Sequence, residues 1–323
     1  MEEEKNELML SIWMIVYNHE KYLVQALESI LSQKTSFEFQ IVIGDDASSD
    51  NSRDILLKYK RKYPDKIKLI LHEKNIGMTA NLISVLKECS GKYLASCEGD
   101  DFWIDPLKLQ KQVDFLENHE DYSGVSGKFI TVDAASCPIS PDPIQRVIFK
   151  GENYSLEDYL TTDLWPGQTA TFLYRNFFLG NGIKYYEEFE VVYDGMIYMS
   201  LLVRGKIKIM QEVLSGYRFI PNSGDSWSAR VKRDNHSLFR YMMYKNIEKI
   251  AYDYNGTKVN FSKKYSRYWR ESIIKFIRVP NQKNFSIMKS IYLLSNNKTE
   301  MKIQAFLAVP KALVLKINKM LRG

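Results

Sequence analysis

The chain has 323 residues and a mass of 37.8 kDa, enough for one large α/β domain with an appendage or for two domains. Its 45% hydrophobic and 26% charged residues are ordinary for a globular protein, and no run approaches the roughly 18 apolar residues that a helical membrane span requires. The net charge of +6 hides an asymmetry: residues 1–227 hold 24 Lys+Arg against 34 Asp+Glu, and residues 228–323 hold 21 against 5, or −10 and +16.

The opening residues, MEEEKNE, are acidic where an export signal would be basic and then apolar, so the sequence points to the cytoplasm. Cys89, Cys97 and Cys137 form no CxxC pair, which excludes a disulfide framework and a thiolate metal site and fits a reducing compartment. From Leu8 to Tyr17 the pattern predicts a buried strand, and Leu23, Leu27, Ile30 and Leu31 then repeat at helical spacing. A second strand is expected over Phe37–Ile43, running into GDDASSD. Ile55, Leu56, Tyr59 and Tyr63 mark the next helix, capped by Ser49 or Asp50 and ended by the Tyr63-Pro64 step. Ile67–Leu71 reads as a third strand, Asn81–Cys89 as a third helix, and Tyr93–Cys97 as a fourth strand ending at EGDD. From about 123 to 220 the pattern predicts short strands, aromatic turns and the loop TTDLWPGQTA. Beyond Trp227 it turns helical and basic.

Strands alternating with helices imply a parallel sheet, which binds ligands beyond the carboxyl ends of its strands. Tyr17-Asn18, Asp45-Asp46 and Asp100-Asp101 would meet there. Glu98, Asp100 and Asp101 crowd three carboxylates into four residues, an arrangement suited to Mg²⁺ or Mn²⁺ completed by substrate phosphates, or else to a capped turn before the helix that starts near Asp105-Pro106. Asp46 could accept the N3–H of a uracil, with Tyr17 offering a stacking face; a helix cap is the plainer role for that segment. Asp194, in VVYDGMIY, reads either as a helix cap or as a general base. The four histidines have no metal-ligand spacing, and there is no GxGxxG, GxxxxGK[ST] or GxSxG.

The segments SIWMIVYNHEKYLVQALESILSQ, IVIGDDASSDNS and NIGMTANLISVLKECSGKYLASCEGDDFWIDPLKLQKQVDFLE together resemble the inverting bacterial glycosyltransferases of family 2, in the branch with a CEGDDxW signature. That resemblance, over roughly residues 8–228, implies an α/β GT-A fold with a mostly parallel central sheet flanked by helices. Residues 1–227 would form the catalytic domain, with a nucleotide-binding half (1–120) and an acceptor-side half (121–227), and 228–323 a basic helical extension. It implies that Asp46 and Tyr17 hold the base, that Asn75, Gly77 and Asn81 lie in a donor-side loop, and that Asp101 is the ligand of Mn²⁺ or Mg²⁺. Asp100 would sit beside it on the nucleotide and Glu98 in the outer shell. Asp194 matches the family's general base; Trp103, Gln168 and Thr169 would face the acceptor; Arg218 and Trp227, in YRFIPNSGDSWS, would close over the diphosphate. Ile220 stands where many members place a histidine, and Ile15 where some place a threonine.

The implied reaction moves a sugar from a nucleotide-diphosphate donor, a UDP-sugar by family habit, to a glycan or polyprenyl-linked hydroxyl in bacterial surface polysaccharide synthesis. A nucleotidyltransferase or a non-catalytic nucleotide-sugar-binding protein is the alternative, but VYNHEKY lacks the glycine-rich loop of the former. Anionic lipid and nucleic acid are both candidate partners for a basic tail. Val309, Leu313, Ile317 and Leu321, interleaved with Lys311, Lys316, Lys319 and Arg322, favour a peripheral contact of residues 300–323 with the inner membrane face and no role in binding nucleic acid.

Overall fold

The computed structural model describes residues 8–220, 235–295, 297–299 and 301–303. The chain divides into two compact units, Met1–Phe219 and Ile220–Gly323.

The first unit is built on one sheet whose strands lie in the order Ile67–Leu71, Phe39–Asp45, Leu10–Val16, Tyr93–Ser96, Leu173–Arg175, Tyr122–Val132, Lys206–Arg218 and Phe102–Trp103. β1 (Leu10–Val16), β2 (Phe39–Asp45), β3 (Ile67–Leu71) and β4 (Tyr93–Ser96) are parallel. They are joined by α1 (Leu23–Leu31), α2 (Ser52–Lys62) and α3 (Met78–Lys87). β1 is apolar almost throughout because both its faces are covered. Leu10, Ile12, Met14 and Val16 join the core formed with Leu23, Leu27 and Ile30 of α1, while Trp13 donates to the Tyr174 hydroxyl at 2.9 Å. Each such fully buried aliphatic side chain is worth roughly 1.5–3 kcal/mol against exposure. α3 lies so close on β2 that a Cβ at Gly44 would stand 2.1 Å from Asn81 Oδ1 and 2.6 Å from Val85 Cγ2.

Local starts differ from the pattern. α2 is capped at Asn51 without a side-chain bond, and Asp50 instead accepts from the Ser52 and Glu20 amides, both at 2.9 Å. α3 begins at Met78, three residues before Asn81.

Beyond β4 come β5 (Phe102–Trp103), α4 (Lys108–Glu117), β6 (Tyr122–Val132), β7 (Asn153–Tyr154), α5 (Leu156–Thr162), β8 (Leu173–Arg175), α6 (Gly182–Glu187), α7 (Asp194–Leu202) and β9 (Lys206–Arg218). β8 runs antiparallel to β4 and to β6, and β9 runs parallel to β6. The expectation of short strands here fails for β6 and β9, which have 11 and 13 residues. Their ladder shifts register around Gly127, Lys128 and Phe129, and such bulges break the inside-outside alternation that identifies a long strand in a sequence.

In the second unit, α8 (Ser237–Asn255), α9 (Ser262–Arg278) and α10 (Gln282–Leu294) bury Tyr241, Ile247 and Ala251 together with Trp269, Ile273 and Ile291. No described helix is long and apolar enough to cross a membrane. Trp227 and, from residue 304 on, the amphipathic segment lie outside the described residues.

Candidate active site

The parallel strands deliver their polar residues to one end of the sheet. After β1, Tyr17 is 42% exposed at the mouth, and Asn18, in the left-handed region at φ 59°, accepts from the Ser49 amide at 2.8 Å. At the end of β2, Asp45 is fully buried in an ion pair with Arg53 at 2.7 Å. Asp46 accepts from the amides of Ile76 (2.7 Å) and Gly77 (3.0 Å), and its carbonyl accepts from the Asn75 amide side chain at 3.3 Å. Gly77 has φ 87°, a conformation that suits glycine. Asp46 thus fixes the Asn75–Gly77 loop, and each carboxylate oxygen retains a lone pair for one more donor. Asn81 is not in that loop: it is buried on α3, donates to the Gly44 carbonyl at 2.9 Å and pairs with His72 at 3.1 Å.

After β4 the chain turns through the acids, and the Asp101 amide donates to the Glu98 carbonyl at 3.1 Å. Asp101 is 2% exposed; one carboxylate oxygen accepts from the Arg218 amide (2.9 Å) and the other from Gln168 Nε2 (2.7 Å). Burial and the neighbouring charge of Asp100 push its pKa well above the ordinary carboxylate range. Glu98 is raised likewise, by burial and then by Asp100, Asp101 and Asp194.

Asp194 opens α7, with Tyr193 at the cap position. The residue is exposed, and desolvation by the protein packed around its carboxyl raises its pKa. The Gly195 amide (2.8 Å) and the Thr169 hydroxyl (3.2 Å) donate to it and oppose the rise.

Gln168 and Thr169 belong to the turn that includes the 3-10 segment Thr169–Thr171, so adjacent residues touch the two key acids. Trp103 does not face a crevice: it is 4% exposed and donates from Nε1 to the Ala170 carbonyl at 2.8 Å. Arg218 is not free to close over a ligand either. Its guanidinium donates to the carbonyls of Asp100 (2.9 Å) and Asp133 (2.9 Å) and to Gln25 (2.8 Å), and it lies 4.2 Å over the Tyr22 ring. It clamps the acidic turn from behind. Position 220 is isoleucine, two residues beyond that clamp.

Among the described residues no three His, Cys, Asp or Glu side chains converge as a metal cage. The donor set still fits a hard divalent cation that takes one or two carboxylates and fills its shell with phosphate oxygens and water, because crowded buried acids gain most from a counter-charge.

Residues 11–180 match the model of glycosyl transferase family 2, more than half of the chain. The chain belongs to that family. An uncharacterized Mycobacterium tuberculosis protein, Rv1520, is 46% identical over 112 residues, covering 35% of this chain and 32% of that protein. The family 2 chain thus spans about a third of the length of the mycobacterial relatives it matches. A Bacillus subtilis protein provisionally named teichuronic acid biosynthesis glycosyltransferase TuaG is 25% identical over 239 residues, 73% of this chain and 87% of that protein. The structure of S. aureus TarS 1-349 in complex with UDP-GlcNAc superposes with a TM-score of 0.58 at 17% identity, over 94% of this chain and 80% of that one, a likeness of fold.

Two residues of this family 2 site were not read from the sequence. Tyr198 donates from its hydroxyl to Thr169 Oγ1 at 3.1 Å, and Thr79 Oγ1 accepts from the Val192 amide at 3.1 Å beside the Asp194 segment. The spacing of Tyr198, one helical turn beyond Asp194 on α7, is a signal that could have found it.

Proposed function

We propose that the chain is an inverting glycosyltransferase that moves a sugar from a UDP-sugar to a hydroxyl of a glycan or polyprenyl-linked acceptor in the synthesis of a bacterial surface polysaccharide. The observation that carries this is the turn whose neighbouring residues Gln168 and Thr169 hold a buried acid, Asp101, and a solvent-open acid, Asp194. In this reading Asp46 and Tyr17 take the base, with the Asn75–Gly77 loop on the donor side. Asp101, with Asp100 beside it, would hold Mn²⁺ or Mg²⁺, which supplies positive charge to a leaving diphosphate. Asp194 accepts the proton of the acceptor hydroxyl, its raised pKa making it a stronger base than an ordinary carboxylate. The acceptor oxygen bonds to the anomeric carbon from the side opposite the diphosphate, the carbon–diphosphate oxygen bond breaks, and the nucleoside diphosphate departs. Thr169 keeps the Asp194 carboxylate aimed while this happens.

The basic second unit suits a peripheral contact with an anionic membrane, where a polyprenyl-linked acceptor would lie. The partition into a catalytic body up to residue 227 and a basic extension from 228 is part of the same proposal. A panel of UDP-, GDP- and TDP-sugars with Mn²⁺, read as nucleotide release, should single out a UDP-sugar. Asp194→Asn should bind UDP like the parent and lose transfer by about 10³-fold; full transfer by that variant would overturn the assignment. Removing residues 300–323 should weaken sedimentation with phosphatidylglycerol vesicles, and unchanged sedimentation would end the membrane reading.

A further inference from the structure

The turn that joins Asp101 to Asp194 is held from behind by four buried side chains, one for each of four consecutive carbonyls. The Thr169 carbonyl accepts from Ser96 Oγ at 2.6 Å and that of Ala170 from Trp103 Nε1 at 2.8 Å. The Thr171 carbonyl accepts from Gln112 Nε2 at 2.8 Å and that of Phe172 from Lys108 Nζ at 3.5 Å. Ser96, Trp103, Lys108 and Gln112 are all at most 4% exposed. They come from three elements, β4, β5 and α4. Lys108 Nζ also lies 4.3 Å over the Trp103 ring and donates to Gln112 Oε1 at 2.8 Å, so three of the four support one another.

A short 3-10 turn satisfies few of its own carbonyls, and a buried carbonyl without a donor is costly. Side chains could meet that need anywhere in a core. Here they meet it in an unbroken run on the one segment whose front bears Gln168 on Asp101 and Thr169 on Asp194.

We infer that Ser96, Trp103, Lys108 and Gln112 are positioning residues for sugar transfer: by pinning the carbonyls of Thr169–Phe172 they fix the placement of Asp101 relative to Asp194. The inference rests on the proposed reaction for its kinetic consequence and on the hydrogen bonds alone for its mechanical one. Trp103→Phe keeps an aromatic face for Lys108 and removes one donor; Ser96→Ala removes another with the least change of volume.

The test pairs amide hydrogen exchange of the full chain with the kinetics of UDP release from UDP-GlcNAc in Mn²⁺. In both variants exchange should quicken about tenfold or more at 168–172 and spread to 98–101 and 193–196, with other regions unchanged. The rate constant kcat should fall about 10- to 100-fold for Trp103→Phe, and less for Ser96→Ala, while KM for UDP-GlcNAc stays within about twofold. Unchanged exchange at 168–172, exchange that quickens there without reaching either acid, or a loosened turn with full kcat would each overturn the inference. Asp194→Asn is run alongside: its failure to lower UDP release would count against the base assignment. If the parent chain releases no UDP from UDP-GlcNAc, GlcNAc is not the sugar moved and the kinetics are read with the UDP-sugar that the donor panel singles out, while the exchange result decides independently whether these four residues position the acids.

Discussion

The parallel half of the sheet, β1 to β4, and the mixed half, β5 to β9, bring opposite kinds of group to the crevice. The parallel half ends in acids: Asp46 after β2, and Glu98, Asp100 and Asp101 after β4. The mixed half mainly answers with donors, the Gln168 amide, the Thr169 hydroxyl and the Arg218 backbone N–H, and adds one acid, Asp194. Strand ends alone would leave the carboxylates repelling one another; the later half holds them in place without neutralising them. The residual negative charge suits a divalent cation.

Removing a crevice acid from the parallel half should cost about as much as removing Asp194 from the mixed half. Asp101→Asn is expected to lower transfer by about 10²- to 10³-fold and to abolish the Mn²⁺-dependent part of UDP binding seen by calorimetry. Equal metal dependence in the variant would place the cation elsewhere. A donor from the mixed half comes next. Thr169→Val removes the hydroxyl that stabilises the ionised Asp194, so that pKa rises further and the acid limb of the rate profile should move to higher pH. As pH falls, this variant loses activity before the parent does, and kcat at neutral pH drops by roughly tenfold, the worth of one hydrogen bond to a charged group. An unmoved limb would detach Thr169 from the base.

Asp46→Ala should do less to chemistry than to structure. Two amides of the Asn75–Gly77 loop lose a charged acceptor, worth about 1.5–3 kcal/mol for a single such bond, so Tm falls and KM for the donor rises while kcat holds. Smallest of all is Lys68→Ala, which breaks an exposed pair with Glu88 in the parallel half away from the strand ends. It should change stability by less than about 1 kcal/mol and leave transfer untouched. A large effect there would mean that charge outside the crevice matters as much as charge within it.

The parallel half was legible because buried strands run apolar and then stop at polar residues: Ile67–Leu71 has the expected bounds, and β1, β2 and β4 differ from theirs by no more than two residues at either end. The carboxylates could be found for the same reason. Their partners could not. Gln168 reaches Asp101 across 67 residues and Thr169 reaches Asp194 across 25, and no local pattern records such a meeting. Family resemblance set Trp103 and Arg218 facing ligands, whereas both are buried with their donors occupied, since a motif names a residue without giving its direction. The β6/β9 ladder was hidden by its bulges.

The place of β9 in the sheet bears on where the first unit can be cut. The family match ends at residue 180, yet β9 lies between β6 and β5, 26 residues and more beyond that point. A chain stopped at 180 would retain every acid of the EGDD turn and still lose Asp194, expose the edge of β6 to pairing with other molecules, and leave Asp101 without the Arg218 amide. The smallest excisable piece is therefore set by the sheet's own neighbour relations and reaches at least to Phe219, whose amide closes on the Val132 carbonyl at 2.9 Å.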